Sequence, residues 1–413
     1  MKRVVITGMG IISPIGNTIE AYRDSLMAGR HGIGPITRFD TTDYKATLGA
    51  EVKDFQIEHL IAKKEQRRFD LFSQYALAAA DQAFHQAGLD TAEFDHDRAG
   101  VYIGSGIGGM LAFEAGLRDL DTKGPRRVSP FLIPAMISNM ATGQVAIHYN
   151  LRGASLPVVT ACATSTNAIG EAYRNIKHGY SDIILTGGSE ASITDIAVAG
   201  FIACMALTTS TNPDRASIPF DAERSGFVIG EGAGVVVLEE LEHARRRGAT
   251  ILAEVTGYGN TCDAYHMTAP DPDAAGSARA IIQSVDESGG VDAARTYYNA
   301  HGTSTSLNDK TETLALKKAF GEEAAQLSIS STKSMTGHML GAAGAAEVIA
   351  SVLALNENKI PPTVGYQVPD PDCDLDYTPN QAKAKEIDFA ISASLGFGGH
   401  NAAIALRKWN DGR

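Results

Sequence analysis

The stretch VVTACATSTNAIGEA, Val158 to Ala172, changes at Cys162 from β-branched apolar residues to the spacing of an amphipathic helix. The run LPVVTA that leads into Cys162 is short and rich in residues that favour a strand. Gly179 marks the end of the predicted helix, and apolar residues recur on one face of it: Ala168, Ile169, Ala172 and Ile176. The segment therefore predicts a strand, a sharp turn and a buried helix, which is the repeating unit of a layered α/β fold.

The same turn gives Cys162 the features of a nucleophile. A thiol at the N-terminus of a helix feels the positive end of the helix dipole, which favours the thiolate. A sharp turn also exposes the side chain, while backbone N–H groups point at whatever the sulfur attacks. A free cysteine is otherwise a small buried apolar residue, and this segment alone leaves both interpretations open.

The composition excludes several classes of protein. A chain of 413 residues is long for one simple core, so we expect two packed halves or one large α/β unit. The four cysteines are widely spaced without a CxxC pair, which argues against a disulfide framework or a zinc site and for a cytoplasmic protein. No apolar run approaches about 18 residues, so we expect no membrane span. The net charge of −12 argues against binding to nucleic acid.

Strands and helices alternate along the chain. RVVITGMG, Arg3 to Gly10, is predicted to be a buried strand that enters a glycine turn, and a helix is predicted from Asp70 to Ala87. AEVTGYG, Ala253 to Gly259, resembles the VVITGMG of the first strand. This echo predicts two related halves, residues 1–250 and 251–413, each with a buried sheet.

Three further segments have the composition of a functional site. HGTST, His301 to Thr305, places an imidazole and three hydroxyls after an apolar run that is typical of a strand. KSMTGH, Lys333 to His338, precedes a helix of small residues that we expect to be buried. SLGFGGHN, Ser394 to Asn401, is a glycine turn around Phe397, where the glycines allow the backbone to approach a ligand closely.

One cysteine and two histidines from separate strand ends fit carbon–carbon chemistry on thioesters. Cys162 would take an acyl group, while neutral His301 and His338 donate hydrogen bonds to a developing enolate. A Cys-His hydrolase needs one histidine and leaves the second histidine and Lys333 unexplained. A metal site would need a compact ligand spacing, which these residues lack. GSGIGG, Gly104 to Gly109, fits a nucleotide-binding pattern, but the acidic residue expected about 20 residues later is missing.

The motifs together resemble the β-ketoacyl-acyl-carrier-protein synthases, most closely their elongating type II branch, with polyketide ketosynthases as close relatives. The resemblance rests on TAC, HGTST, KSMTGH and GFGG in this order, and on PFDAERSGFVIGEGAG, Pro219 to Gly234. It implies an α/β protein with the thiolase fold, in which two related βαβαβαββ halves form five layers, α-β-α-β-α. It also implies a decarboxylating condensation that elongates an acyl chain by two carbons, in fatty acid synthesis or in a polyketide-like pathway.

The resemblance implies a role for each matching residue of the reaction centre. Cys162 takes the acyl chain, and its backbone N–H forms the oxyanion hole together with that of Phe397. His301 and His338 hold the enolate oxygen, and Lys333 orients the second histidine and tunes the local field. A non-decarboxylating thiolase would instead use a second cysteine as base, and a chain-length factor, a silent partner subunit of the family, would lack the nucleophile.

Other matching positions are implied to bind substrate. Thr303 and Thr305 would hydrogen-bond the pantetheine arm, unless they are ordinary turn hydroxyls. Gly398 of the glycine turn is placed with them. Ile107 and Phe201 would line the acyl pocket, with Ile107 as its gate.

Glu347 matches a buried acid that in relatives supports a histidine-bearing loop, sometimes beside a bound cation. It would otherwise simply pair with Lys333. We expect no metal and no cofactor in the protein itself, because acyl carrier protein brings the phosphopantetheine. After HGTST the chain has Ser306 where most relatives have proline, which changes loop stiffness more than chemistry.

Two basic clusters interrupt the acidic sequence, KKEQRR at 63–68 and GPRR at 124–127. They are either solvated faces or docking sites for an acidic partner. Because acyl carrier proteins are strongly acidic, we predict that these residues dock the carrier: Lys63, Lys64, Arg67, Arg68, Arg126 and Arg127. The resemblance also implies a homodimer, with SPFLIPAMISNM, Ser129 to Met140, near its two-fold axis.

Overall fold

The alternating sequence pattern folds into fourteen strands and thirteen helices over residues 1–410, the part of the chain that this computed structural model describes. The predicted second half ends at residue 413, so its last three residues lie outside the described range. The strands are β1 (Val4–Ile12), β2 (Gly34–Pro35), β3 (Leu48–Ala50), β4 (Ala99–Gly104), β5 (Ile183–Glu190), β6 (Ile229–Gly230), β7 (Gly232–Glu240), β8 (Ala253–Cys262), β9 (Thr296–Asn299), β10 (Ser328–Ser330), β11 (Lys359–Ile360), β12 (Lys383–Ala384), β13 (Phe389–Gly396) and β14 (His400–Lys408). The helices are α1 (Ile19–Met27), α2 (Lys63–Gln66), α3 (Leu71–Gln86), α4 (Met110–Lys123), α5 (Leu132–Met136), α6 (Met140–Tyr149), α7 (Thr164–Lys177), α8 (Asp195–Ala203), α9 (Leu241–Arg246), α10 (Ala275–Glu287), α11 (Ser306–Phe320), α12 (Lys333–Thr336) and α13 (Ala343–Glu357).

Nine strands form one mixed sheet whose two ends repeat the same arrangement. In the first half β7 lies between β1 and β5, antiparallel to both, and β4 pairs in parallel with β5. In the second half β14 lies between β8 and β13, antiparallel to both, and β9 and β10 continue in parallel beyond β13. The halves meet where the start of β1 pairs with the start of β8.

The helices complete five layers. α7 and α13 contact strands of both halves, so they lie between the two ends of the sheet. α3 and α6 cover the outer face of the first half, and α10 packs on the outer face of the second half with α11 against it. Three apolar clusters fill the spaces between layers, and the largest joins α7 and α13 to strands of both halves. The layer order is α-β-α-β-α.

The prediction that LPVVTA forms a β-strand is wrong, because this segment is not one of the strands within residues 1–410. The position that β10 occupies in the second half is taken in the first half by an extended segment, which pairs with β4 through one bridge, Val101 to Ser155. Leu156 and Val159 of this segment are exposed. Within residues 1–410, β4 is the last strand at this end of the sheet, and no further strand lies alongside the segment.

Helix α13 is the centre of the fold. Leu340–Glu357 is the one described stretch that is long and apolar enough, by length and composition, to cross a membrane, yet 89% of it is buried inside the protein. Its glycine and alanine residues allow α7 and the sheet to approach closely, as the sequence predicts. Small residues thus identify a core helix here.

Candidate active site

The nucleophile turn lies between the extended segment and α7. Cys162 is the middle residue of a single 3-10 turn, Ala161–Ala163, that leads directly into the helix. Ala161 has φ of 50°, a left-handed conformation that costs energy for a residue with a side chain. The backbone N–H of Thr160 donates to Thr164 Oγ1 at 2.9 Å, which fixes the turn. The strained residue directly before Cys162 is typical of a turn that serves a reactive side chain.

The thiol of Cys162 is protonated at neutral pH. Burial raises its pKa to about 11, against the opposing effects of the Lys333 cation and of backbone N–H groups. Burial disfavours the thiolate, whereas the helix dipole that the sequence indicates favours it. The effect of the dipole on Cys162 stays a prediction.

The glycine turn between β13 and β14 supplies a second backbone donor. The N–H groups of Phe397 and of Cys162 itself both act on the sulfur and lower the pKa of the thiol. Gly398 has φ of 87°, which favours glycine. A Cβ on Gly396 would lie 2.7 Å from the carbonyl oxygen of Thr160, so the turn cannot approach Cys162 with a larger residue there. Two converging amides at the sulfur fit the predicted oxyanion hole.

His301 follows β9 and is held through its backbone. The carboxylate of Glu312, on α11, accepts the N–H of His301 and the N–H of Gly302, both at 2.7 Å. Tyr298 donates its hydroxyl to the same carboxylate at 3.0 Å. Burial raises the pKa of Glu312 to about 7, while the two amides oppose the shift. The sequence analysis did not single out Glu312, although it lies eleven residues after the histidine on the helix that HGTST begins.

His338 precedes α13 and has a defined tautomer. The N–H of Leu340 donates to its Nδ1 at 3.3 Å, which leaves the ring proton on Nε2. Nε2 is buried and has no hydrogen-bond partner within residues 1–410. An N–H without a partner in a cavity is a donor ready for a substrate oxygen.

Both imidazoles are neutral. Burial and the nearby Lys333 cation lower the pKa of His301 and of His338 well below the usual value, and His338 lowers that of His301 further. The two rings are perpendicular at 86°, with centroids 5.4 Å apart. Neutral imidazoles at this spacing can both donate to one developing oxyanion.

Lys333 and Glu347 form a fully buried ion pair. The lysine cation acts on both histidines and on Cys162 through space, which agrees with its predicted effect on the field. Glu347 contacts this lysine, whereas Glu312 holds the backbone of the His301 loop. Glu312 thus supports the His301 loop directly, and the loop-supporting role that the resemblance gives to Glu347 stays a prediction.

Three buried oxygens beside this pair have no hydrogen-bond partner in the described chain: Glu347 Oε2, Asn299 Oδ1 and Ser392 Oγ. Asn299 and Ser392 are register partners on β9 and β13, and Asn299 donates to the carbonyl of Glu347 at 3.4 Å. Hard cations prefer such oxygen ligands. These residues fit the cation that the resemblance implies for some relatives, although residues 1–410 hold no group of three His, Cys, Asp or Glu side chains suited to a metal.

A cavity of about 250 Å³ brings the reaction centre together. Its lining includes six of the predicted site residues: Cys162, His301, His338, Phe397, Thr303 and Thr305. The hydroxyls of Thr303 and Thr305 are 2.9 Å apart and both face this space. Ser306 and the exposed Cys204 also line it. The structure thus joins residues from both halves at one site.

Three predicted substrate-binding residues lie outside this lining. Ile107 is 38% exposed on the loop after β4. Phe201, on α8, packs in the same apolar cluster as Cys162 and Leu340. Gly398 donates its N–H to the carbonyl of Met267 at 2.8 Å. Their roles in binding substrate stay predictions.

The motif at 219–234 holds the site from behind, a role that the sequence analysis did not assign. Arg224 is buried and donates to the carbonyls of Thr305 and Ser306 at 3.1 and 3.0 Å. The backbone of His338 is fixed between Val228 and Gly230 by bonds of 2.7 and 2.8 Å. The motif offered a sequence signal for this role, because it places Arg224 beside acidic residues with which an arginine can form ion pairs.

Phe227, from the same motif, completes the wall of the cavity. Its ring meets that of His338 edge to face at 5.0 Å and that of Phe201 at 5.5 Å. It therefore links the second histidine to the residue that is predicted to line the acyl pocket.

Both basic clusters lie on the surface of the protein. All six predicted docking residues are exposed, on α2, just after it and on the turn at 125–127. The guanidinium of Arg68 lies 5.2 Å from the ring centroid of Phe131, which follows the second cluster by four residues. We call these six exposed residues the basic surface of this acidic protein.

Comparison with known proteins agrees with this site. Sequence models of the beta-ketoacyl synthase family match residues 1–244 with the N-terminal domain and residues 252–367 with the C-terminal domain. Proteins named 3-oxoacyl-[acyl-carrier-protein] synthase 2 are 50% identical over 409 residues in Synechocystis sp. and 52% identical over 408 residues in Staphylococcus aureus. These alignments cover 99% of this chain in both cases, and 98% and 99% of the relatives.

Solved structures show the same fold. The ishigamide ketosynthase/chain length factor superimposes with a TM-score of 0.93 at 38% identity, covering 99% of this chain and 100% of that one. A type II PKS ketosynthase in complex with its acyl-carrier protein gives a TM-score of 0.91 at 34% identity, with the same coverage. The predicted thiolase fold is confirmed. The chain belongs to the β-ketoacyl synthase family.

Proposed function

We propose that this chain is an elongating 3-oxoacyl-acyl-carrier-protein synthase of fatty acid synthesis, working by acyl transfer, decarboxylation and Claisen condensation. The observation that carries the proposal is the single cavity in which Cys162, His301 and His338 meet. Half of all positions are shared with relatives of that activity over nearly the whole chain.

The first step is acyl transfer from carrier protein to Cys162. The sulfur attacks the thioester carbonyl, and the oxyanion that forms accepts the N–H groups of Cys162 and Phe397. The carrier's phosphopantetheine thiol leaves and takes up the proton that Cys162 gives up, so no net proton is consumed. Because the free thiol has a raised pKa, that proton must move as the carbon–sulfur bond forms.

The second step creates the carbon nucleophile. Malonyl carrier protein loses carbon dioxide, and the electron pair of the broken carbon–carbon bond delocalises onto the thioester oxygen. His338 Nε2–H, buried and without a protein partner in the described chain, donates to that oxygen, and His301 supports it. Neutral donors stabilise the enolate without transferring a proton to it and so leave it nucleophilic.

The third step joins the two chains. The enolate carbon attacks the acyl carbonyl on Cys162, and the same two amides hold the oxyanion. Collapse expels the Cys162 sulfur, which takes a proton from water, and releases the 3-oxoacyl chain on the carrier. The product is longer by two carbons.

A polyketide-like pathway with the same chemistry is the second candidate. The type II PKS ketosynthase complex and the ishigamide ketosynthase/chain length factor share the fold at 34% and 38% identity. The proteins named for fatty acyl elongation reach 50–52%. The higher identity over equal coverage favours fatty acid synthesis.

Acyl carrier protein is the partner that we propose for the basic surface. The exposed lysine and arginine side chains at 63–68 and 126–127 supply positive charge on a protein whose net charge is −12. Such complementarity acts mainly on the rate of encounter. The solved ketosynthase complex with its acyl-carrier protein supports this choice of partner.

We also propose that the protein is a cytoplasmic homodimer without a resident cofactor. Large apolar side chains are exposed on α4, on α5 and at the two residues that flank α5: Phe113, Leu117, Leu120, Phe131, Ile133 and Ile137. The extended segment near Ser155 leaves one edge open for a strand of a second copy. All four cysteines are free thiols, as expected of a reducing compartment.

Intact mass spectrometry tests the proposed function directly. Wild-type protein incubated with long-chain acyl carrier protein should gain the mass of one acyl group, and Cys162→Ala should not. Malonyl carrier protein should then remove the added mass and yield a 3-oxoacyl product. An unmodified wild-type protein would contradict the nucleophile or the acyl donor.

A further inference from the structure

Glu190, the last residue of β5, is a fully buried carboxylate that ties together two segments from different halves of the chain. Its Oε2 accepts the N–H of Gly106 at 2.8 Å and the N–H of Gly341 at 3.0 Å. Its Oε1 accepts the N–H of Ile107 at 3.2 Å and two hydroxyls, of Ser105 at 2.9 Å and of Ser192 at 3.2 Å. Five donors converge on one side chain.

Each of the two segments carries a residue with a place in the proposed reaction. Gly106 and Ile107 belong to the loop after β4, where Ile107 is the predicted acyl gate. Gly341 lies three residues after His338, and the intervening Leu340 fixes the tautomer of that histidine. A movement of either segment therefore acts on the shared carboxylate oxygen.

The segments are packed without space between them. A Cβ on Gly341 would lie 2.4 Å from the amide nitrogen of Gly106 and 2.7 Å from Glu190 Oε2. A Cβ on Gly106 would lie 2.8 Å from the same oxygen. The backbones thus touch across the carboxylate, and the gate loop cannot shift toward the His338 segment without displacing it.

The hydrogen bonds favour an ionised side chain and oppose burial, which raises the pKa of Glu190. Of the five partners, the three backbone N–H groups can only donate, and the hydroxyls of Ser105 and Ser192 can donate or accept. A buried charge that receives this many hydrogen bonds is costly to alter, because each donor loses its partner.

We propose that Glu190 is a positioning residue that couples the acyl gate at Ile107 to His338, so that acyl selection and enolate formation depend on the same carboxylate. This rests on the proposed condensing function. Glu190 touches no substrate and acts through the two segments that it holds. Substituting it should change acyl-chain selectivity and condensation together.

Glu190→Gln is the first test, because it keeps the size and removes one acceptor oxygen. We expect the single-turnover condensation rate of the pre-acylated enzyme to fall about tenfold or more, since small displacements of a catalytic group have effects of this size. We expect the ratio of kcat/KM between a short and a long acyl carrier protein to change about tenfold as well.

Ser192→Ala is the matched control, because Ser192 bonds to the same carboxylate but belongs to neither segment. It should keep both values near those of wild type. If Glu190→Gln does not fold, Ser105→Ala replaces it as the test variant. This change removes one hydrogen bond to Glu190 and one to the backbone N–H of Gly108 in the gate loop. It should alter selectivity and condensation together, each by about threefold.

The coupling itself is measured with Ile107→Gly. In the wild-type background this change should alter selectivity, and in the Glu190→Gln background it should add little, because the gate is already released. Additive effects would overturn the proposal, as would wild-type condensation in Glu190→Gln or equal losses in Ser192→Ala. Failure of wild type to form an acyl-enzyme would instead contradict the proposed function.

Discussion

At the scale of single residues, burial decides the charge of the reacting groups. Cys162 is a thiol and both histidines are neutral because each lies in a poorly solvated cavity, and a buried lysine lies nearby. The lysine cation lowers the pKa of all three groups, which opposes burial at the thiol and adds to it at the imidazoles. Burial disfavours the charged form of each group, so it raises the pKa of the thiol and lowers the pKa of the imidazoles.

The raised pKa of Cys162 predicts a distinctive alkylation profile. With a pKa of about 11, the thiolate fraction rises with pH and increases about tenfold per unit from pH 7 to pH 10. The rate of iodoacetamide modification at Cys162, followed by peptide mass spectrometry, should rise in the same way. Exposed Cys204 in the same sample is the internal reference. A plateau at Cys162 below pH 9 would contradict the raised pKa.

Removing the buried cation should move the acid limb of the pH–rate profile. In Lys333→Met/Glu347→Gln no unpaired buried charge remains, and the pKa of both histidines should rise toward its ordinary value. Condensation would then be lost at higher pH than in wild type as the pH falls, because protonated imidazoles replace neutral donors. Glu347→Gln alone keeps the cation and is the comparison. Identical acid limbs would rule out a field effect of Lys333.

At the scale of elements, short turns and helix ends place the chemistry. Cys162 precedes α7 and His338 precedes α13, each through a single 3-10 turn, so equivalent helices of the two halves begin at the cavity. HGTST ends where α11 begins, with Thr305 at the N-cap position and Ser306 as the first helical residue. A proline is favoured at that first position, since its missing N–H has no helical partner. The departure from the family at Ser306 therefore leaves the helix start intact.

Ser306→Pro should consequently be tolerated. We expect the free energy of unfolding to rise by about 0.5 kcal/mol, because proline restricts the unfolded chain at a position whose backbone suits it. Urea denaturation with the acyl-transfer rate as a second readout would measure this. Leu307→Pro, one residue further into the helix, is the control. Destabilisation by Ser306→Pro would show that the serine holds the loop in a way that its backbone position does not explain.

The basic surface around α2 predicts a salt-dependent partner contact. Arg67→Glu/Arg68→Glu should raise KM for acyl carrier protein several-fold at low salt and leave kcat nearly unchanged. The difference from wild type should shrink as salt is added. Lys318→Glu, also exposed and of equal charge change per residue, is the control for net charge. An unchanged KM at low salt would exclude this surface as the docking site.

At the scale of the whole molecule, five layers bring together residues that are distant in sequence. α7 and α13 share one apolar cluster with strands of both halves, and the reaction centre opens at the ends of these two helices. A site made from both halves is lost if either half unfolds. The exposed apolar residues of α4 and α5 lie outside these layers. We propose that a second copy of the chain packs against them.

Ile133→Asp should weaken that dimer. Ile133 is 57% exposed on α5, so a carboxylate there costs little in the monomer and much in an apolar interface. Sedimentation velocity should show a shift from dimer to monomer at micromolar concentration. Tyr180→Asp, at a residue that is 74% exposed after α7, is the matched control. A monomeric wild type, or a dimeric variant, would contradict this interface.

The sequence alone determined the layered fold, and it predicted the two related halves and the site residues Cys162, His301, His338 and Phe397. These follow from local patterns: helical and strand periodicity, glycine turns and short motifs are properties of neighbouring residues. The same local patterns predicted both ends of α3 to within one residue. Asp70 is the N-cap of this helix, and the helix ends at Gln86, directly before Ala87. It failed for LPVVTA, because a strand needs a partner that local sequence does not specify.

Only the tertiary structure decided the protonation of the site and what supports it. The pKa of Cys162 is raised by burial and lowered by Lys333 and by the N–H of Phe397, which belong to the second half of the chain. Glu312, Arg224 and Glu190 acquire their roles by accepting or donating bonds to segments far away in the chain. Solvation and long-range hydrogen bonds are set by packing, and packing is not a property of any one segment of sequence.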